Sequence, residues 1–409
     1  MRRRPQAAPR AASRAPVAAA SVGLAALLAG FAAAPAVAQE ADTVRAAAER
    51  PFVEGGQDDK PHLFDLAGRL AVGGYAEGHY RFIRADGITE EQTFLAKRFN
   101  VFFNSQISDF VRFGAELEIE EGGEEVLLEF MTIDLAAHRA LNLRGGMILV
   151  PLGRFNLAHD SPRNPFTDRP LVSTDLVGVA LSQPGFGLFG LFPLGGPARL
   201  TYELYAVNGF DEGVLEDDPA GTRIPAGRRN FEDNNNSLSG VGRLAWSPRH
   251  GLELGASVHT GAYNVYSADG LDVDERRDLT IWALDAEATV GALELTGEAA
   301  FATIDVPAGL GPLFASGQRG LYADAVLPFW NGRIATMPGS FFAAKLRLDY
   351  VDFDTDLRGD DELRVSAGLN FHPTRDTAFK LDLFRAHTHD RFNSPADEFG
   401  VLFSAATYF

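Results

Sequence analysis

Charged side chains and prolines occur together in one stretch of the chain, RGGMILVPLGRFNLAHDSPRNPFTDRP, residues 144–170. A predicted strand runs into a Val-Pro-Leu-Gly step, and three more prolines and several charges follow. Arginines and carboxylates on facing sides of a narrow passage create a transverse field that selects solutes. The alternative is that these side chains pair with one another and stabilise the turns of a loop. The candidate constriction residues are Arg154, His159, Asp160, Arg163, Asp168, Arg169 and Asp175.

Other chemistries have weaker support in the sequence. His387 and His389 share one face of a predicted strand, but no third metal ligand accompanies them. No serine stands beside a histidine in a recognisable catalytic motif, and the Gly-rich steps near 185 and 195 lack a phosphate-binding lysine. Cysteine is absent, which excludes a thiol nucleophile. We therefore expect no enzymatic activity, no metal site and no cofactor.

The elements that would position these residues are β-strands. In the last twelve residues, Glu398–Phe409, every second side chain except Thr407 is apolar or aromatic, and the chain ends on Phe409. A period of two is that of a strand with one apolar face. The same alternation, apolar on one face and charged on the other, starts near Gly68 and continues to the C-terminus without a helical domain. A soluble β-sandwich would alternate too, but this persistence favours an all-β fold, a transmembrane antiparallel β-barrel.

Connection lengths predict about sixteen strands. Both ends of a bacterial barrel lie on the periplasmic side, so short turns and long loops must alternate. Four connections are expected on the long-loop side in the first half of the chain, at Ala85–Gln92, Glu121–Glu125, Pro151–Asp175 and Gly209–Ser237, and the last of them is polar. The sixth strand, from Leu176 to about Pro193, must then cross as one broken strand through Pro184-Gly185. A barrel of this size encloses an aqueous channel.

Basic and acidic residues both fall on the predicted inner face. The lumen-wall candidates are Arg81, Arg98, Arg112, Glu116, Arg144, Arg243, Lys345, Arg347 and Arg364. Acidic residues such as Glu77, Asp285 and Asp349 face the same way. A wall of mixed charge predicts a weakly selective channel.

The N-terminus predicts export. Five arginines precede an apolar run, and Ala36-Val37-Ala38 matches a small-residue cleavage site. We expect a signal peptide at 1–38, a periplasmic extension at 39–67 and the barrel at 68–409. The whole chain has 37 basic and 55 acidic residues. Cleavage removes five arginines and no acid, which leaves 32 against 55. This acidity argues against a nucleic-acid partner.

The stretch 144–170, with its Pro-x-Gly step followed by Asn, His-Asp and Arg-Pro, resembles the phosphate-selective porin O and P family. The step Tyr205-Ala-Val-Asn-Gly209 also resembles that family. The terminal Phe409 is similar to the closing residue of outer-membrane barrels. These resemblances imply a loop that folds into the lumen, a homotrimer, and assembly-machinery recognition of the C-terminal strand.

The sequence therefore predicts a porin of the bacterial outer membrane that contacts lipid and lets small polar or charged solutes diffuse passively. One alternative is a phosphate- or anion-selective porin, as the resemblance implies. An alternative of another class is a structural or adhesive barrel with a closed lumen.

Overall fold

The computed structural model describes residue 60 and residues 64–66, 70–215, 221–311 and 313–409. The expected signal peptide lies outside the described residues, as does most of the expected extension, so both boundaries stay predictions. Among the described residues, no helix is long and apolar enough to cross a membrane.

Sixteen antiparallel strands form a closed barrel, as predicted. In chain order they are β1 (Leu70–Ala85), β2 (Ile88–Gln106), β3 (Val111–Glu120), β4 (Glu125–His138), β5 (Leu141–Leu149), β6 (Ser182–Gly195), β7 (Ala198–Val207), β8 (Ser239–Arg249), β9 (Leu252–Ala262), β10 (Asp278–Val290), β11 (Leu293–Ile304), β12 (Gly317–Phe329), β13 (Phe341–Asp352), β14 (Asp361–Thr374), β15 (Thr377–His389) and β16 (Pro395–Tyr408). A short strand, Phe64–Leu66, pairs with the start of β1. A small hairpin, Ser267–Ala268 with Leu271–Asp272, decorates the connection between β9 and β10.

The first and last strands close the barrel. β16 pairs with β1 from Glu398↔Ala85 to Tyr408↔Tyr75. Beyond this ladder, Gly74 and Phe409 exchange two backbone hydrogen bonds of 3.1 and 2.9 Å. The Phe409 ring stacks on Phe99 of β2, with centroids 5.4 Å apart. The terminal aromatic thus packs over the seam where the sheet closes.

The two ends of the barrel differ in their connections. The end at which β1 begins and β16 ends, here called the terminal rim, has mostly short turns, such as Arg139–Ala140 and Gly196–Pro197. The opposite end, the loop rim, carries the long connections 150–181, 208–238 and 263–277. Leucines and aromatics dominate the exposed outer rows of the strands, for example Leu244, Trp282 and Leu348. An apolar outer face suits contact with lipid.

Two predicted connections differ from the structure. The expected loop Ala85–Gln92 is a tight turn at Asp86-Gly87, because β1 and β2 continue as a long hairpin. The sixth strand begins at Ser182 rather than at Leu176. Residues Val172–Val177 instead form a short helical turn that ends at Gly178, whose φ is 82°. Their apolar side chains pack inside the barrel, which imitates the pattern of a buried strand.

The loop-rim half of the barrel interior contains an apolar cluster, here called the lumen core. Loop residues Phe155, Leu171, Val172, Leu176 and Leu181 pack there against inward residues of the strands. The strand residues include Val207, Val241, Leu279, Ile281, Ala300, Ile304 and Val351. Phe210, Val214 and Ile224 of the 208–238 connection also belong to the cluster. That connection was expected to be simply polar, but part of it turns inward.

Candidate functional site: the constriction loop and the lumen wall

Residues 150–181, here called the constriction loop, leave β5 and turn into the lumen at Gly153. Its φ of 71° suits glycine, and a Cβ there would lie 2.4 Å from the carboxylate of Glu298 on β11. The Gly153 amide donates to Ser257 Oγ on β9 at 2.9 Å, and the Phe155 amide donates to Glu298 Oε2 at 3.0 Å. The Pro-Leu-Gly step therefore directs the chain onto the wall formed by β9 and β11.

The loop then reaches the other side of the barrel. Ser161 Oγ donates to Glu77 Oε2 on β1 at 2.5 Å, and Lys380 Nζ on β15 donates to the Ser161 carbonyl at 2.7 Å. The Thr167 amide donates to Asp382 Oδ2 on β15 at 2.8 Å. Contacts with β9 and β11 at one end and with β1 and β15 at the other show that the loop crosses the lumen.

Three of the predicted loop residues face polar space or wall charges. Arg154 forms an ion pair with Glu287 of β10. Arg163 lines the cavity described below. Asp168 accepts from Arg81 Nη1 at 2.5 Å and lies 3.6 Å from Arg364 Nη1. Asp168 therefore links β1 and β14 through the loop.

His159 and Asp160 are buried rather than exposed to a passage. His159 Nε2 lies 3.1 Å from Glu129 Oε1, and its Nδ1 lies 2.9 Å from the Asn156 carbonyl oxygen. Burial, then the positive charges of Arg169 and Lys60, lowers the pKa of His159 to about 4. The imidazole is therefore neutral at physiological pH. Asp160 Oδ2 accepts from the Tyr408 hydroxyl at 2.9 Å, which ties the loop to the last strand.

Arg169 and Asp175 lie nearer the loop rim. The Arg169 guanidinium is 3.8 Å from Glu118 Oε1 of β3. Asp175 sits on the helical turn Val172–Val177. Burial, then the charge of Glu362, raises the pKa of Asp175 to about 6. The seven candidates thus lie on one loop but do not form one surface, because His159 and Asp160 are buried.

The predicted wall residues face inward, and most are paired with carboxylates. Arg144 binds Asp134 through two bonds of 2.8 Å. Arg347 binds Asp324 through two bonds of 2.6 Å. The remaining pairs are Arg243 with Asp285, Lys345 with Asp382, Arg98 with Glu77, Glu118 and Glu120, Arg364 with Glu362, Arg81 with Glu91, and Glu116 with Lys60. Arg112 is half-buried near the terminal rim.

Two of these pairs reach across an intervening strand, Lys345 with Asp382 across β14 and Arg243 with Asp285 across β9. Lys345 on β13 reaches Asp382 on β15 at 2.6 Å across β14. The residue of β14 between them is Gly368, where a Cβ would lie 2.4 Å from the Asp382 carboxylate and 2.6 Å from Lys345 Cε. The absence of a side chain on the middle strand leaves the room for this ion pair. The wall charges consequently neutralise one another in pairs.

A polar cavity of about 980 Å³ opens on the terminal-rim side of the constriction loop. Charges of both signs line it: Arg154, Arg163, Arg199, Arg375, Glu287, Glu294 and Asp324. The loop forms one boundary through Phe155, Ala158 and Pro162. This arrangement can admit hydrated polar solutes as far as the loop.

Two features of the site escaped the sequence analysis. The Phe166 ring lies under two wall cations, 4.7 Å from Lys345 Nζ and 4.4 Å from the Arg347 guanidinium carbon. Lys60, within the expected extension, is buried beside Glu116 and Asp160. A single lysine in a polar segment carries no sequence signal of such a position. His387 and His389 instead pair with Asp397 and Asp361, and no group of three potential ligands among the described residues could hold a metal.

No family model matches the chain. It is 31% identical over 206 residues to an uncharacterised protein of Aquifex aeolicus. The match covers 48% of this chain and 45% of that relative, so the chain spans about half the length of the curated protein it matches.

Comparison with solved structures identifies outer-membrane channels. An anion-selective porin from Comamonas acidovorans aligns with a TM-score of 0.54 and 13% identity, over 83% of this chain and 99% of that chain. The outer membrane channel DcaP of Acinetobacter baumannii aligns with a TM-score of 0.54 and 11% identity, over 85% and 100%. Salmonella typhi OmpF, in complex with daunomycin, aligns with a TM-score of 0.52 and 12% identity, over 85% and 100%. The predicted porin-type barrel fold is thereby confirmed.

Proposed function

We propose that this chain is a porin of the bacterial outer membrane, through which small polar or charged solutes diffuse passively and with weak selectivity. The observation that carries the proposal is a loop that crosses the lumen beside a polar cavity of about 980 Å³ lined by charges of both signs. A narrow passage of low dielectric makes each unpaired charge effective, whereas pairing of wall charges limits net selectivity. The apolar outer face supports the membrane location.

Assembly follows from the same proposal. Phe409 packs over the closing seam, which supports a role for the C-terminal strand in recognition by the assembly machinery. The sequence resemblance supports a homotrimer, and the mass of the detergent-solubilised protein tests that state. The signal peptide would direct export before either step.

Conductance and reversal potential in planar bilayers test the pore. The triple variant R154Q/R163Q/R169Q removes three positive charges from the loop, so its reversal potential in a salt gradient should shift toward cations. Deletion of Asn156–Asp168 should raise single-channel conductance because it removes much of the crossing segment. R385Q is the matched control, since Arg385 is 75% exposed on the outer row of β15, and its reversal potential should equal that of the wild type.

The outcomes separate the candidate functions. Strong block of chloride current by phosphate in the wild type would favour the phosphate-selective alternative implied by the resemblance. Absence of any conductance above the lipid background would favour the closed structural barrel, an alternative that the lumen core supports. A triple variant with wild-type selectivity would place selectivity on the wall rather than on the loop.

A further inference from the structure

Lys60 lies in a buried pocket formed by carboxyl groups and an aromatic ring. Its side chain is only 4% exposed. Its Nζ lies 2.7 Å from Glu116 Oε2 of β3 and also contacts Asp160 of the constriction loop. The same nitrogen lies 4.7 Å from the centroid of the Phe102 ring. Two carboxylates and an aromatic face are the partners that best compensate a desolvated primary ammonium.

The carboxylates around Lys60 are held in place by neutral groups. Asn100 Nδ2 donates to Glu116 Oε1 at 2.7 Å and to Glu129 Oε2 at 3.3 Å. The Tyr408 hydroxyl donates to Asp160 Oδ2 at 2.9 Å. These donors orient the oxygens and carry no charge themselves, whereas Lys60 supplies a cation in direct contact with Glu116 and Asp160. Burial alone would lower the pKa of Lys60, but the neighbouring carboxyl groups, Asp160 first, outweigh burial and raise that pKa above its usual range.

Lys60 belongs to neither the barrel wall nor the constriction loop. The short strand Phe64–Leu66 pairs with β1 at Leu70–Val72, beyond the point where β16 ends its pairing with β1 at Tyr75. Leu66 pairs with Leu70 at the start of β1, and Phe64 pairs with Val72, which lies farther from the terminal rim. The first residue of the short strand is therefore deeper in the barrel than its last. Lys60 therefore fills the pocket as an added group, while Glu116, Asp160, Asn100 and Tyr408 belong to the barrel and its loop.

We propose that this pocket is a binding site for primary alkylammonium groups, and that Lys60 is its internal occupant. A primary ammonium presents three N–H donors, which match the two contacting carboxylates and their neighbour Glu129. A quaternary ammonium has no such donor and a larger radius. Removal of Lys60 opens the pocket to n-butylammonium, which has the four-carbon chain and ammonium of the lysine side chain. Ammonium binding in this pocket does not require the barrel to conduct ions. Only a consequence of that binding for ion flow would rest on the proposed porin function.

Chemical complementation of Lys60→Ala tests the proposal. The variant leaves Glu116 and Asp160 without the cation they contact, so its unfolding temperature in detergent, read from heat-modifiable mobility, should fall below that of the wild type. Added n-butylammonium should raise that temperature saturably, because a ligand specific to the folded state stabilises it. Tetramethylammonium at equal ionic strength should give no saturable rise. The wild type should not respond to n-butylammonium, because Lys60 occupies the pocket.

Two further variants keep the result decisive. In K60A/E116Q a neutral amide replaces one carboxylate of the pocket. The concentration of n-butylammonium that gives half of the maximal response should therefore rise at least tenfold. In Lys97→Ala the lost ammonium belongs to a partly exposed pair with Glu121 at 2.5 Å, and no complementation is expected. Equal effects of the two ammonium ions, or equal responses of K60A and the wild type, would overturn the proposal.

Failure of K60A to assemble would also be informative. Refolding in n-butylammonium should then recover the heat-modifiable barrel, and equal failure in sodium and in n-butylammonium would overturn the proposal. Bilayer recordings separate this inference from the porin function. A wild type without conductance would refute the pore but leave the amine response of K60A intact, whereas a conducting wild type with an unresponsive K60A would refute the ammonium site alone.

Discussion

The constriction loop packs against two chemically different sides of the barrel. Toward the loop rim, Phe155, Val172 and Leu176 lie among apolar side chains of β7 to β13 in the lumen core. Toward β13–β16 and β1, Ser161, Thr167 and Asp168 are instead held by hydrogen bonds and ion pairs. The constriction loop is thus fixed mainly by apolar burial on one side and by polar contacts on the other.

The difference indicates how the two sides divide their roles. Close apolar packing excludes water. Displacement of the loop from this side would leave cavities, and their formation costs free energy. The ion pair of Asp168 with Arg81 stays partly exposed, so water and solute charges can reach it more easily than they reach a buried pair. We infer that the apolar side sets the position of the loop, while the charged side sets what passes it. The following predictions test that division.

Leu176→Ala should have the largest effect. Leu176 is fully buried in the lumen core, and truncation of a buried leucine costs about 2–5 kcal/mol through lost transfer and a residual cavity. We expect a clear fall in the unfolding temperature, measured by heat-modifiable mobility. Leu348→Ala is the control, since Leu348 is exposed on the outer face of β13. Equal effects of the two substitutions would show that the apolar side does not anchor the loop.

Asp168→Asn should change selectivity more than stability. The substitution removes the negative charge that Arg81 and Arg364 contact, so the local potential beside the loop becomes more positive. The reversal potential in a salt gradient should shift toward anions, with a smaller fall in unfolding temperature than for Leu176→Ala. Asp397→Asn is the control, because Asp397 pairs with His387 and Arg385 away from the loop. A shift toward cations would contradict the proposed role of the charged side.

Asp175→Asn should have the smallest effect, and one that depends on pH. Burial, then Glu362, raises the pKa of Asp175 to about 6 in the folded protein, against about 4 for an unperturbed aspartate. Between these values the folded state holds a proton that the unfolded state has lost, so wild-type stability falls as pH rises. Asparagine does not titrate. The variant should therefore match the wild type near pH 4 and exceed it above pH 6.

Thermal unfolding of Asp175→Asn and the wild type across pH 4 to 8 measures this difference. The control should lie away from the lumen, which excludes a lumen-facing residue such as Ser366. Asp376→Asn, in the exposed turn between β14 and β15, is preferable. A constant difference between Asp175→Asn and the wild type at every pH would show that the carboxyl group does not titrate in this range.

Much of the fold follows from local patterns in the sequence. Period-two alternation predicts which side chains face inward on strands such as β1, where Tyr75, Glu77 and His79 are buried. The alternation of short and long connections predicts sixteen strands, because antiparallel strands reverse direction at every turn. The Pro-Leu-Gly step predicts where the chain leaves β5, since only a few residue types suit the backbone conformation that Gly153 adopts.

The packing and charge pairing inside the barrel depend on contacts between residues that are distant in the chain. The apolar run after Leu171 indicates burial, but the sequence cannot distinguish a strand within the sheet from a helical turn packed inside it. Pairing of Lys345 with Asp382 across Gly368, and burial of Lys60 beside Glu116 and Asp160, bring together groups from remote segments. The sequence by itself determined the wall and its inward charges, because strand alternation is local. The tertiary structure alone decided which charges neutralise one another and which apolar loop faces fill the lumen, because both depend on distances across the closed barrel.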